Sequence, residues 1–290
     1  MKPAPFAYEA PTDVEGVVAL LRNRGANARL LAGGQSLMPV LNFRLGRPQL
    51  LIDLNRVAGL AFIDERNGHL AIGAMTRESE IEDSALVRRH VQLLHEATKH
   101  IGHRAIRNRG TIGGSLSHAD PAAEYPAAAL ALDATMVVLG HRGERRIAAA
   151  AFFDGALTTT IAEDEMLVRI EVPKARPGSG AAFAEIARRA GDFALAGVGA
   201  VVALAGDTIA DVRLAACGAG PGPMRLGRAE QALRSAGIGE NGVQAAARAA
   251  MAEVEPATDI HASADYRRRL VGVTAARAIA DAVGRATAAT

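Results

Sequence analysis

The sequence contains one cysteine, Cys217, among its 290 residues. A single cysteine cannot form a disulfide within the chain, and it cannot supply the four thiolates of an iron–sulfur cluster or a structural zinc site. Cys217 ends an apolar run typical of a β-strand, so we expect it to act as a small buried hydrophobe.

Aromatic residues are also scarce, since tryptophan is absent and aromatics make up 3% of the chain. The net charge is only +2, from 33 basic and 31 acidic residues, and no dense basic block occurs. Nucleic-acid binding usually needs basic patches and often aromatic stacking platforms. The composition therefore argues against a nucleic-acid partner.

Long apolar runs and targeting signals are missing as well. No stretch of about 18 apolar residues is present, and the N-terminus lacks the basic-then-apolar pattern of a signal peptide. We therefore expect a cytoplasmic protein without a transmembrane segment. Hydrophobic residues make up 49% and charged residues 22%, values typical of a globular protein, and the length suits two or three domains.

The common glycine-rich nucleotide signatures are absent too. Neither G-x-G-x-x-G after a first strand nor G-x-x-x-x-G-K-[ST] occurs. The nearest approach, residues 218–222, contains Pro221, which removes an N–H donor and opposes a helix start. This argues against a Rossmann dinucleotide site and against a P-loop.

Two Gly-Gly motifs are present instead. The first spans residues 32–37 and follows an apolar run, and the second lies within residues 107–121, which also carry hydroxyl side chains. Glycine lets a backbone approach a ligand closely and expose clustered N–H donors, while small hydroxyls add donors without bulk. Each motif alone is more often a plain tight turn. Together they suggest two walls of one cofactor site.

The hydrophobic pattern predicts an α+β protein in three units. Residues 1–55 form a small lobe with a capping box at residues 12–15, a helix ending at Gly25, and strands at 29–32 and 49–54. Residues 56–176 form a second lobe with strands at 69–74, 135–139 and 166–172, a mostly helical segment over 76–101, and a short helix over 125–132.

The third unit, residues 177–290, follows a Pro- and Gly-rich linker at 173–180. Its pattern predicts strands at 182–188, 197–204 and 209–217, then helices at 227–235, 243–254 and 263–283. The strands should be antiparallel, because their connections are too short for parallel crossovers. Strands followed by helices indicate a small α+β module.

An ordered series of motifs carries a family resemblance over nearly the whole chain. Residues 32–36 and 111–114 resemble the two FAD-binding motifs of the flavoprotein medium subunit of molybdenum hydroxylases, the carbon monoxide dehydrogenase and xanthine dehydrogenase group. The similarity continues at residues 120–126, 189–194 and 264–268. It implies a two-lobed FAD-binding domain of the vanillyl-alcohol-oxidase/PCMH type, followed by a C-terminal domain of the CO dehydrogenase flavoprotein type.

The resemblance also implies which residues bind FAD. The first motif is expected to hold the diphosphate, and the second to approach the isoalloxazine end. Glu124 is expected to bind ribityl or ribose hydroxyls, because two carboxylate oxygens suit a diol. Leu167 either contacts the cofactor or is an ordinary core leucine, and Phe193 is expected to cover the flavin ring. The full set is Ala32, Gly33, Gly34, Gln35, Ser36, Leu37, Thr111, Ile112, Gly113, Gly114, Ser115, Glu124, Leu167 and Phe193.

Other polar residues near the second motif are not interpreted as catalytic, and a structural or flavin-proximal role is favoured for His118 and Asp120. Arg107 and Arg109 would suit a pyrophosphate, but two solvated arginines before a turn are the simpler interpretation. His118 and Asp120 suggest a base and its orienting group, yet no nucleophile lies in a recognisable context. We assign no catalytic residue. We also predict no metal site, because the other histidines form no ligand set: His69, His90, His95, His100, His103, His141 and His261.

The resemblance implies an oxidoreductase subunit that carries FAD in a heterotrimer. Its partners would be a small subunit with two [2Fe–2S] clusters and a large molybdopterin subunit, commonly assembled as a dimer of heterotrimers. Electrons would pass from the clusters to FAD and on to a quinone, NAD or a carrier protein. The alternatives are a self-sufficient FAD-dependent oxidase or dehydrogenase, disfavoured by the small alanine-rich C-terminal part, and a flavin-less scaffold subunit, disfavoured by the intact glycines.

Overall fold

The computed structural model describes residues 2–289 and confirms an α+β fold. Three larger sheets follow one another along the described chain, with three, five and four strands. Each lies within one of the proposed units 1–55, 56–176 and 177–290. The outer ends of these units, Met1 and Thr290, lie outside the described residues.

The first sheet is parallel, in the order β1-β3-β2, with β1 at Ala7–Glu9, β2 at Ala28–Leu31 and β3 at Leu50–Asp53. Helix α1 (Val14–Arg24) joins β1 to β2, and α2 (Leu37–Asn42) lies between β2 and β3. The N-cap of α1 is Asp13, whose carboxylate accepts a hydrogen bond from the Gly16 N–H at 2.7 Å. The capping-box pattern thus predicts the helix start, although Thr12 is not the cap.

The middle sheet is antiparallel, in the order β4-β5-β10-β6-β7. These strands are β4 (Ile63–Arg66), β5 (His69–Gly73), β6 (Thr135–Gly140), β7 (Gly143–Ala148) and β10 (Glu165–Pro173), and a small ribbon pairs β8 (Phe153–Gly155) with β9 (Thr158–Thr159). The buried strands β5, β6 and β10 are predicted from the sequence. The edge strands β4 and β7 are missed, because most of their side chains are exposed and polar.

The helices that carry the site lie between β5 and β6. They are α3 (Glu78–Asp83), α4 (Ala85–His90), α5 (Gln92–His100), α6 (Arg104–Arg107), α7 (Ile112–His118) and α8 (Glu124–Ala131). The mostly helical segment predicted over residues 76–101 is three separate helices. Ser84 ends α3 in an extended conformation and caps α4 through its hydroxyl, and Val91 separates α4 from α5.

The C-terminal sheet is antiparallel, as predicted, with β11 (Ser179–Ala187), β12 (Ala194–Ala205), β13 (Thr208–Cys217) and β14 (Met224–Arg225) in sequence order. Helices α9 (Gly227–Ala236), α10 (Glu240–Glu253) and α11 (Ala264–Ala288) follow. Cys217 is buried, as expected for a small hydrophobe. No helix within residues 2–289 is long and apolar enough to span a membrane.

Shared cores fix the three sheets relative to one another. Val17 of α1 and Ile52 of β3 pack in one cluster with Val137 and Val168 of the middle sheet. Cys217 of the C-terminal sheet belongs to the large core cluster of the middle part. Burial of this apolar surface is the main term that holds the sheets together. The glycine motifs therefore project from a continuous scaffold.

Candidate functional site

The two glycine motifs are in direct contact. A Cβ on Gly33 would overlap the Arg109 carbonyl oxygen and would lie 2.8 Å from the Gly110 Cα, which is closer than real Cβ atoms come. A Cβ on Gly114 would lie 3.6 Å from the Ala32 Cβ, so the motifs also approach each other further along. The structure thus brings the two predicted motifs together at one place.

A side-chain network that the sequence pattern did not reveal joins the two motifs. The Asn55 Nδ2 group donates to the Ala32 carbonyl at 3.1 Å. Arg77 donates through Nη2 to the Asn55 Oδ1 at 2.6 Å and through Nη1 to the Arg109 carbonyl. The Asn55–Arg77 pair therefore holds a backbone carbonyl of each motif. Nothing in the spacing of these residues marks this contact in advance.

The first motif carries backbone donors without acceptors. Among the described residues, the N–H groups of Gly33, Gly34, Gln35 and Ser36 donate to no other group. Gly34 has a φ of 74°, in the left-handed region that favours glycine, and the Gln35 side chain donates to the Gly33 carbonyl at 3.0 Å. Successive unpaired N–H groups in such a turn suit an anion such as a diphosphate.

The second motif is built differently from the expected loop, because residues from Ile112 onward form helix α7. Thr111 caps this helix by accepting a hydrogen bond from the Gly114 N–H at 3.1 Å. The Ile112 N–H donates to the Thr76 carbonyl and the Gly113 N–H to the Ala74 carbonyl. The expectation of free backbone donors is therefore wrong for this motif. Its glycines instead permit close packing, since a Cβ on Gly113 would lie 2.6 Å from the Ala74 Cβ.

A group of buried carboxyls lies next to the second motif. Glu124, at the start of α8, is 6% exposed, and Glu78, in the first turn of α3, is 4% exposed. Burial, followed by the negative charge of Glu124, raises the pKa of Glu78 to about 8. Burial also raises the pKa of Glu124 and of Glu185 on β11, and the charge of Glu124 raises the pKa of Glu185 further.

Two of these carboxyls also have unsatisfied oxygen atoms. The Oε2 atoms of Glu78 and Glu185 are buried and have no hydrogen-bond partner within the described chain. Buried polar groups of folded proteins are normally paired, so such atoms fit a ligand that brings hydroxyl or N–H groups. Neither residue is predicted from the sequence. A glutamate inside the apolar run of β11 is the one signal that could have indicated Glu185.

Leu167 and Phe193 have opposite environments. Leu167 is buried in the same core cluster as Ile112, which agrees with its interpretation as an ordinary core leucine. Its contact with FAD stays a prediction. Phe193 is 66% exposed and lines an open groove of about 750 Å³, together with Asp120 and Arg267. An exposed ring in a groove is available for stacking, which is the role predicted for Phe193.

Arg107 is not solvated, contrary to the simpler interpretation of it. It is buried, and it donates through Nε and Nη2 to Glu82 and through Nη1 to the carbonyls of Ile101 and Gly102. Its role is structural all the same, because its donors are committed within the protein. The Arg109 side chain is exposed and makes no hydrogen bond or ion pair within the described chain.

His118 and Asp120 do not form a dyad in the structure. The Asp120 carboxylate accepts a hydrogen bond from the Ala122 N–H at 2.9 Å instead. His118 lies in the last turn of α7, and no hydrogen bond joins it to Asp120. Residues 2–289 contain no group of three or more His, Cys, Asp and Glu side chains in an arrangement that could hold a metal ion.

The α+β fold and the unpaired N–H groups of the first motif are typical of a cofactor-binding protein. Comparison with known proteins identifies the class of cofactor. Residues 4–175 match the FAD binding domain in molybdopterin dehydrogenase. Residues 181–282 match the CO dehydrogenase flavoprotein C-terminal domain. The chain belongs to the FAD-binding medium subunits of molybdopterin dehydrogenases, an oxidoreductase family.

Individual relatives agree with this assignment. The chain is 40% identical to the 6-hydroxypseudooxynicotine dehydrogenase complex subunit alpha of Paenarthrobacter nicotinovorans, over 99% of this chain and 97% of the relative. It is 39% identical to the carbon monoxide dehydrogenase medium chain of Hydrogenophaga pseudoflava, over 96% and 97%.

Solved structures are similar over the same length. A carbon monoxide dehydrogenase from Hydrogenophaga pseudoflava, lacking the Mo-pyranopterin moiety, superimposes with a TM-score of 0.96 at 40% identity, covering 98% of this chain and 99% of that one. Quinoline 2-oxidoreductase from Pseudomonas putida 86 gives a TM-score of 0.94 at 36% identity, covering 99% of each chain.

Replacing Phe193 by alanine should weaken FAD binding without unfolding the protein. Because the ring is exposed, we expect the free energy of unfolding to change by less than about 0.5 kcal/mol. Loss of ring stacking should lower the FAD affinity roughly 3- to 10-fold, as measured by quenching of flavin fluorescence. Phe193→Tyr, which keeps the ring, is the matched control and should bind FAD like the wild type. Equal FAD affinities for all three proteins would show that Phe193 does not contact the bound flavin.

Proposed function

We propose that this chain is the FAD-carrying electron-transfer subunit of a molybdenum hydroxylase, taking electrons from [2Fe–2S] clusters of a partner subunit and passing them to an external acceptor. The observation that carries the proposal is the row of unpaired N–H groups at residues 33–36, held against the second motif in a chain of this family. When bound, FAD supplies the one- and two-electron chemistry that links clusters to acceptors.

The chain's own residues bind and position the cofactor. We propose that residues 32–37 hold the diphosphate through backbone N–H groups. Residues 111–115 provide the close-packed wall near the isoalloxazine end. Glu124 binds cofactor hydroxyls, and Phe193 covers the ring. Substrate oxidation belongs to another subunit, so no residue of this chain need act as a nucleophile or general base.

We propose a small iron–sulfur subunit and a large molybdopterin subunit as partners, in a dimer of heterotrimers. Relatives support a multi-subunit assembly by their names, which include a complex subunit alpha, a medium chain and a medium subunit. Cys217 is buried and has no second cysteine beside it, so the clusters belong on another chain. A chain without a disulfide also suits a reducing compartment, and we propose the cytoplasm.

Purification of the tagged chain from its native host tests this function. We expect two co-eluting chains in equal amounts, noncovalent FAD, iron–sulfur absorbance, and molybdenum in the metal analysis. Flavin on a lone chain that is reduced directly by a small organic molecule would identify a self-sufficient oxidase or dehydrogenase instead. Partner chains without flavin would identify a scaffold subunit.

A further inference from the structure

We propose that Glu78 and Glu185 are further cofactor-binding residues, which with Glu124 form a group of three carboxyls that binds the hydroxyl-bearing chain of FAD. The proposal rests on the proposed function, because it takes FAD as the ligand of the glycine motifs. It adds two side chains from outside both motifs, on α3 and β11, to the cofactor site.

Glu78 is fixed against the second motif by two contacts. Its backbone N–H donates to the Gly110 carbonyl at 3.1 Å. Its carboxyl lies so close to Gly110 that a Cβ there would overlap Oε2 and would be 2.6 Å from Oε1. The side chain is 4% exposed, yet its Oε2 atom has no partner within the described chain. Packing alone gives no reason to bury a carboxyl in this way, because an unpaired buried polar group destabilises the fold.

Glu185 is the member of this group that borders a groove. It lines an open groove of about 530 Å³, where a ligand can reach it, and its own Oε2 atom is buried without a partner. Glu124 is near both of the others, since its negative charge raises the pKa of Glu78 and the pKa of Glu185. The group therefore extends from Glu78, which contacts the second motif, to Glu185 at a groove that is open to solvent.

Protonation makes this group of carboxyls suitable for binding hydroxyl groups. Burial opposes ionisation of Glu78 and Glu185, and the negative charge of Glu124 opposes it further. A protonated carboxyl donates one hydrogen bond and accepts others, which matches a hydroxyl group that also does both. Glutamine shares this capacity, whereas leucine has similar bulk and lacks it. The two substitutions therefore separate hydrogen bonding from packing.

The experiment is an FAD titration of the full-length chain and its variants Glu78→Leu, Glu185→Leu, Glu78→Gln and Glu185→Gln. We expect each leucine variant to bind FAD roughly 10- to 100-fold more weakly, and each glutamine variant to stay within about threefold of wild type at pH 7. Glu171→Gln is the matched control, because Glu171 is buried but paired with Arg146 and Arg169. It should leave the FAD affinity unchanged.

Stability of the FAD-free chain gives a second readout. The raised pKa of Glu78 means that the folded state holds this proton more tightly than the unfolded state, so stability falls as pH rises from about 4.5 to about 8. Glu124, Arg107 and Arg77 also act on this carboxyl, the first raising its pKa and the two arginines lowering it. Glu78→Gln should make stability decrease less over this pH range, and the melting temperature of Glu78→Leu should be no lower than that of the wild type.

The outcomes separate the two proposals. No FAD binding by the wild-type chain, alone or in its purified complex, would overturn the proposed function and this inference with it. Wild-type binding with unchanged affinity in both leucine variants would overturn the inference alone. If a leucine variant fails to fold, the glutamine variants test the inference. An FAD affinity more than tenfold weaker than wild type at pH 7 would contradict the binding of FAD by protonated carboxyls. An unaltered pH dependence of stability in Glu78→Gln would contradict it as well.

Discussion

Replacing Gly33 by alanine should abolish the FAD site, with at least a roughly 100-fold loss of affinity and a lower free energy of unfolding, by about 1–3 kcal/mol. The new Cβ would overlap the Arg109 carbonyl and come within 2.8 Å of the Gly110 Cα. Both contacts are with backbone, so no side chain can rotate away and the two motifs must separate. Flavin fluorescence titration and thermal unfolding measure the two effects.

Gly227→Ala is the matched control for Gly33→Ala. Gly227 is the first residue of α9, and no heavy atom lies within 4 Å of a Cβ built there. Alanine should be neutral or slightly stabilising, because glycine has the lower helix propensity. Wild-type FAD affinity in Gly33→Ala would show that the contact between the motifs is not required for binding.

Replacing Arg107 by methionine should destabilise the chain by about 2–4 kcal/mol, a large part of the stability of a typical domain. The change removes the bidentate partner of Glu82, which keeps Arg104, and it removes the donors to the carbonyls of Ile101 and Gly102. These groups precede the second motif, so loosening them should also disturb residues 110–115. Denaturant unfolding measures the loss.

Arg109→Met is the control for the Arg107 variant. Both arginines flank the same motif, but the Arg109 side chain is exposed and makes no bond to the described chain. We expect a change in unfolding free energy of less than about 0.5 kcal/mol. Equal stability losses in the two variants would contradict the structural role assigned to Arg107 alone.

Local patterns in the sequence predict much of the fold. Strands β5, β6 and β10 are predicted from the sequence because they are mostly buried and apolar. Strands β11 to β13 are predicted from apolar runs separated by short connections. The two glycine motifs are also identifiable, since their composition is unusual and their order matches a known family. Cys217 is predicted correctly because its neighbours in the chain are apolar.

Contacts between distant segments are what the sequence pattern does not contain. Glu78 and Glu185 lie on different elements, and only the folded chain brings both near Glu124. The burial of Arg107 depends on Glu82 and on two carbonyls at the end of α5. The sequence predicts a loop at the second motif because glycines are poor helix formers. In the structure the segment is a helix, stabilised by the Thr111 cap and by packing on Ala74.

A crystal structure of the chain with bound FAD, alone or in its complex, shows directly where the cofactor lies. We expect cofactor density between the two motifs, with the diphosphate on the N–H groups of residues 33–36, the isoalloxazine end near residues 111–115 and Phe193, and hydroxyls at the carboxyls of Glu78, Glu124 and Glu185. FAD bound elsewhere on the chain, or residues 33–36 without contact to the diphosphate, would contradict this expectation.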